Sequence, residues 1–180
     1  MNALAMIAVA MGVAAVMLKA PGVVAPAAAR AFVKSFPRNR TWAWLLTSLD
    51  MAIVTVLLWT LPDSWFTPWR ASLLVLAPVA IVLVGLFVDE LLASRALGGL
   101  LLLAAAPVLE VARFHPSEVR LVVVVLAYLW VFLGMLLVAS PWWFRKLTDP
   151  LMATDIRCRL TSAAGVVIGL VLMALGVWIY

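Results

Sequence analysis

The chain predicts an all-α polytopic membrane bundle: six transmembrane helices arranged as three hairpins, with two short amphipathic helices on the cytoplasmic surface. Three observations carry this. The 180 residues are 67% apolar and 12% charged, with a mean hydropathy of +1.19, about half the charge of a soluble domain. Six stretches of about twenty residues are each long enough to cross a hydrocarbon core of roughly 30 Å. The cations also alternate. Lys19, Arg30, Lys34, Arg38 and Arg40 fill the first gap, Arg95 the third, and Arg145, Lys146, Arg157 and Arg159 the fifth. The intervening gaps hold Arg70, Arg113 and Arg120. Cytoplasmic loops concentrate Lys and Arg, so both termini are expected on the non-cytoplasmic side.

The spans read as 2–18, 42–61, 71–88, 96–113, 121–139 and 160–179. Loops this short leave no room for a soluble unit, so residues 1–180 form one membrane domain. The first apolar run resembles a secretory signal, but no cation precedes it and Lys19, Arg30 and Lys34 follow it. It is therefore expected to remain as the first span. The net charge of +5 sits beside spans, which suits anionic lipid headgroups and not nucleic acid. The single cysteine, Cys158, excludes an internal disulfide framework.

Two of the cationic tips carry more than a turn. PAAARAFVKSF places Ala29, Phe32, Val33 and Phe36 on one side and Arg30 and Lys34 on another. PWWFRKLTDPLMATDIRCR groups Trp142, Trp143, Phe144 and Leu147 beside Arg145 and Lys146. Both read as surface helices with aromatics inward and cations outward. Trp42, Trp65, Trp69, Trp142 and Trp143 are the expected interfacial anchors, with Trp44, Trp59 and Trp178 also near span ends. The first and third tips share a Pro, an amphipathic segment and an Arg-x-Arg before the next span. An internal repeat and the generic need for a cationic tip both account for that.

Within the stretch 140–176, Pro141, Trp143, Arg145, Lys146, Arg159, Ala164 and Gly165 follow a recognisable outline. A proline and an aromatic-basic surface segment precede Arg and small residues that open a second span. This resembles the small two-helix inner-membrane proteins of bacteria, whose function is uncharacterised. The resemblance covers about a fifth of the chain. It implies bacterial origin, an inner-membrane location and hairpin architecture, and no activity.

Asp50 is the ionisable side chain deepest in a span. It lies eight residues past Trp42, about 12 Å along a helix, where a carboxylate costs several kcal/mol unless neutral, paired or hydrated. Thr47 stands one turn earlier on the same face. The pair is a candidate proton or cation site, or a contact to a cofactor or partner subunit. A neutral, hydrogen-bonded Asp joining helices explains it as well. Glu110 and Arg113 are spaced for a local pair, and Arg113, Glu118 and Arg120 for another near His115. His115, the one histidine, reads as a loop residue before Pro116. No cluster has metal-ligand spacing, no phosphate cradle occurs, and no serine has a histidine beside it in the membrane. No cofactor or metal and no enzyme activity are expected.

Small residues supply a packing signal instead. Ala8 and Gly12 in the first span, and Ser162, Gly165 and Gly169 in the last, recur at helical spacing, which lets backbones approach. Pro78 and Pro107 are expected to kink their spans. The function these features favour is a non-catalytic subunit or scaffold of a larger bacterial membrane assembly. It would meet the lipid bilayer and partner membrane subunits or further copies of itself. The alternative is a small proton- or cation-coupled transporter or channel using Asp50.

Overall fold

The computed structural model describes residues 2–60, 70–87, 91–113 and 115–180, and within them the chain is helical with no strand. The elements run α1 (Ala3–Val24), α2 (Pro26–Ser35), a 3₁₀ turn (Phe36–Arg38) and α3 (Arg40–Thr60). They continue with α4 (Arg70–Phe87), α5 (Leu92–Arg113), α6 (Arg120–Ala139), α7 (Trp143–Leu151) and α8 (Asp155–Trp178). Five of these, α1, α3, α5, α6 and α8, are long and apolar enough to cross a membrane. The 18-residue α4 stands where the third span was expected and runs through Pro78, as α5 runs through Pro107.

Several helices outrun the apolar stretches that announced them. α1 continues past Leu18 to Val24, α5 begins at Leu92, and α8 begins at Asp155. Hydropathy marks where the hydrocarbon ends, and a helix need not stop there. Lys19 shows how the charge is carried. Its stem lies so close over Gly165 that a Cβ built there would stand 2.7 Å from Lys19 Cγ, while the ammonium extends beyond the apolar zone. The start of α8 is set by Thr154, whose Oγ1 accepts a hydrogen bond from the Arg157 backbone N–H at 3.3 Å.

Small side chains fill much of the interior, beside Leu4, Val123 and Leu172. Ala5, Ala8, Ala93, Ala105, Ala112 and Ala127 are almost fully buried, while Leu121, Val125, Leu129, Phe132 and Met135 project outward from α6. That inverts a soluble core, and it follows from lipid being as apolar as leucine: association gains from close backbone contact and little from hiding large side chains.

The closest packed pairs are α1 with α8 and α5 with α6, followed by α3 with α5 and with α4. Among the described residues the two spans of each expected hairpin are not the pairs in close contact. For α1/α3 and α6/α8 the reason lies in the connection. Surface helices of ten and nine residues separate the span ends by about 15 Å, wider than the 8–10 Å between packed helix axes. The helix that leaves each expected hairpin instead packs on one that enters another, α3 on α4, α5 on α6 and α8 on α1.

Two crossings draw backbone onto backbone. A Cβ on Gly12 would stand 2.5 Å from the Gly169 carbonyl oxygen, and one on Gly169 would stand 2.8 Å from that of Gly12. Gly98 and Gly134 do the same between α5 and α6, each 2.8 Å from the other's carbonyl oxygen. Gly12 of the first expected stripe thus meets Gly169 of the second, while Gly165 lies against the Lys19 stem. Gly22 and Ser162 extend the α1–α8 contact, and the buried Cys158 thiol lies between the Gly22 and Pro26 carbonyls.

Arginines fasten both ends. Arg30 on α2 donates to the carbonyls of Met152 and Ala153, each at 2.8 Å, and pairs with Asp155 at 2.5 Å. This cation had been assigned to the outward face, yet its fork holds the α7–α8 turn. Arg120 donates to the carbonyls of Arg113 at 2.9 Å and His115 at 2.6 Å. It caps the end of α5 through carbonyls and not through the carboxylates expected from sequence.

Candidate functional site

The face of α3 that turns inward consists of Ala43, Thr47 and Asp50, spaced at one turn each so that they form a single stripe. It meets α5, and the register is visible in two contacts. Ala43 packs with Leu92 and Ala93 in one apolar cluster, and the Asp50 carboxylate lies over Gly99, where a built Cβ would stand 2.9 Å from Oδ2. Seven residues on α3 therefore advance with about seven on α5, so the two helices run parallel. The bare backbone of Gly99 leaves the space the carboxylate occupies.

Asp50 is 9% exposed and Thr47 5%. Asp50 Oδ1 and Thr47 Oγ1 are both buried without a hydrogen-bond partner among the described residues. Such groups cost free energy unless something satisfies them. Thr47 is unusual here. Thr55, Thr60, Thr148 and Thr161 each donate to the carbonyl four residues earlier, at 2.7–3.1 Å, the ordinary resting place of a helical hydroxyl. Thr47 does not, and its hydroxyl is left available one turn from the carboxylate.

The seam is covered at one end. On the α2 side, Phe36, Ala43, Leu92 and Ala93 form an apolar cluster with Leu46, Leu97 and Phe144 against it. On the other side, Thr55 and Thr60 are committed to their own helix. Ser94, a fully buried hydroxyl also without a partner, sits four residues before Gly98 and so shares the face that meets α6, not the face that meets Asp50. Sequence reading missed Ser94 because the span was begun at 96, which left it in a loop.

The remaining sequence candidates fall elsewhere. Ala8, Gly12, Ser162, Gly165 and Gly169 line the α1–α8 contact, distant from Asp50 in the chain and on other helices. Trp42 is 37% exposed and packs edge-on against Phe32 at 5.7 Å. Trp142 and Trp143 stack at 4.8 Å, with the Lys146 ammonium 4.9 Å and 4.4 Å from their ring centres. Trp65 and Trp69, with Phe66, and the acids Asp89 and Glu90 lie outside the described residues. His115 is half-buried, in contrast to the exposed loop residue expected. Its Nδ1 accepts from the Ser117 N–H at 3.2 Å, its Nε2 is buried, and its ring meets Tyr180 edge-on at 5.6 Å.

No protein-family model matches the chain, and comparisons with curated proteins and with solved structures find no match.

Proposed function

We propose that this protein is a non-catalytic integral subunit or scaffold of a larger assembly in a bacterial inner membrane. In this reading α4 is the sixth crossing, and the Lys and Arg distribution puts both termini on the non-cytoplasmic side. The observation that carries it is the burial of Asp50 and Thr47 in the α3–α5 seam, which the Phe36–Leu92–Phe144 cluster covers on the α2 side. A carboxylate covered on that side and buried against Gly99 suits a packing contact better than a through-path for ions. Native mass in a mild detergent tests the proposal. A mass far above 19.5 kDa with defined companion chains is expected, and a stable lone monomer overturns it.

One observation favours a second reading, a proton or cation site. Asp50 Oδ1 and Thr47 Oγ1 lie one turn apart and both lack partners. If they bind a coupling ion, Asp50→Asn abolishes flux in proteoliposomes while the fold persists. Unchanged flux in that variant removes this reading.

A further inference from the structure

α2 and α7 each join two long helices at the same end of the bundle, and they touch each other there. Between them is a cleft of about 270 Å³ lined by Val33 and Lys34 from α2 and by Arg145, Thr148 and Asp149 from α7. Two cations and one acid therefore face one small volume, a net positive charge contributed by two separate helices. The neighbouring Arg30 is fully engaged with Asp155 and two carbonyls. Lys34 and Arg145, by contrast, have no ion-pair or hydrogen-bond partner among the described residues. Thr148 donates to the Phe144 carbonyl at 2.8 Å, which fixes its position in the cleft wall.

The depth of the cleft is set by its surroundings. Trp142 and Trp143, with Lys146 over their rings, stand within one turn before Arg145 and within two before Thr148. Stacked indoles with a cation above them suit the boundary between acyl chains and headgroups. A cleft at this depth, cationic, with a guanidinium able to take two oxygens of one phosphate, is too small for a folded partner and large enough for a phosphate and its glycerol.

We infer that the α2–α7 cleft binds the phosphodiester headgroup of an anionic phospholipid, through Lys34 and Arg145, from the leaflet at whose surface the two helices lie. The lipid would bridge the two surface helices and so add a link between α1–α3 and α6–α8, which already touch at this level through Arg30, the Phe36–Phe144 contact and the Cys158 thiol beside the Gly22 and Pro26 carbonyls. This holds whether the protein is a subunit or a transporter.

The full-length protein, delipidated in nonionic detergent, is offered phosphatidylglycerol and phosphatidylcholine in equal amounts, and retained lipid is read by native mass spectrometry. Retention of phosphatidylglycerol in preference is expected. The double variant Lys34→Ala/Arg145→Ala should lower it by about 25-fold, at about fivefold for each cation near a headgroup. Arg157→Ala/Arg159→Ala removes the same charge outside the cleft and should leave retention within about twofold. The charge-preserving pair Lys34→Arg/Arg145→Lys should restore most of it and shows that the fold tolerates change there. Equal losses in the two alanine variants would mean diffuse attraction and overturn the inference, as would an absence of lipid preference. Displacement of the lipid by millimolar inorganic phosphate would also overturn it, by assigning the cleft to the free ion.

Discussion

The α1–α8 and α3–α5 contacts are both helix seams with glycine at the closest point, and they use that glycine for opposite ends. At Gly12 and Gly169 the absent side chains let two backbones touch, and neighbouring positions are alanine, serine and the stem of Lys19. At Gly99 the absent side chain makes room for a carboxylate. The first seam gains all it can from close packing. The second forgoes packing to hold two polar groups with no hydrogen-bond partner among the described residues. A structural seam has no reason to keep Thr47 from the i−4 carbonyl that every comparable threonine uses, so whatever selective value the α3–α5 contact has is not tightness alone.

Four substitutions test that contrast. Gly12→Leu forces a side chain into the Gly169 carbonyl and the Met173 backbone, neither of which can rotate away. A loss of about 3 kcal/mol is expected, measured as reversible unfolding in mixed micelles. Beyond the end of α8, the Tyr180 hydroxyl donates to the Val119 carbonyl in the α5–α6 turn at 2.7 Å. Tyr180→Phe should cost about 1 kcal/mol. Burial raises the Tyr180 phenol above its ordinary value of 10.0, so its contribution is complete below pH 10 and is lost as pH rises through the elevated value. The Phe variant should lack that alkaline decline in an unfolding titration. On the polar seam the sign reverses. Thr47→Val removes a buried hydroxyl that bonds to nothing, and should stabilise the protein by about 1 kcal/mol; a loss of stability would show that the hydroxyl is already satisfied. Gly99→Ala should be mildest, a few tenths of a kcal/mol, because its Cβ meets only the far end of the Asp50 side chain. Its value lies elsewhere: any ion affinity at Asp50 should fall when the carboxylate is pushed aside.

The fold class was legible because hydropathy and cation placement are sums over many residues. Helix partners were not, because small residues state that a surface can be approached and not by what. The Ser162–Gly165–Gly169 stripe was recognised, and so was Ala8–Gly12, yet nothing in either specified the other. Gly98 and Gly134 passed unnoticed, the first inside a run read as the opening of a span, the second as a lone glycine among large residues. The candidate site was half legible. A carboxylate in an apolar run stands out by cost alone, and helical spacing brought Thr47 with it. Gly99 could be found only through the register of α3 against α5. Arg30 was misassigned because an outward cation and a cation that caps a turn look identical in sequence, and the difference rests on where Met152, Ala153 and Asp155 arrive in space.

The pairing of the first helix with the last also sets a clock. Gly12 and Gly169 are separated by most of the chain, and a ribosome adding 5–20 residues per second takes roughly 10–30 s to make the intervening stretch. Through that interval the glycine face of α1 is in the membrane with its native partner unsynthesised. Nascent chains inserted side by side have the same face open at the same time. Expression should therefore be sensitive to crowding of translocation sites, and slowing translation late in the message should lengthen the exposure without altering a single contact of the finished protein.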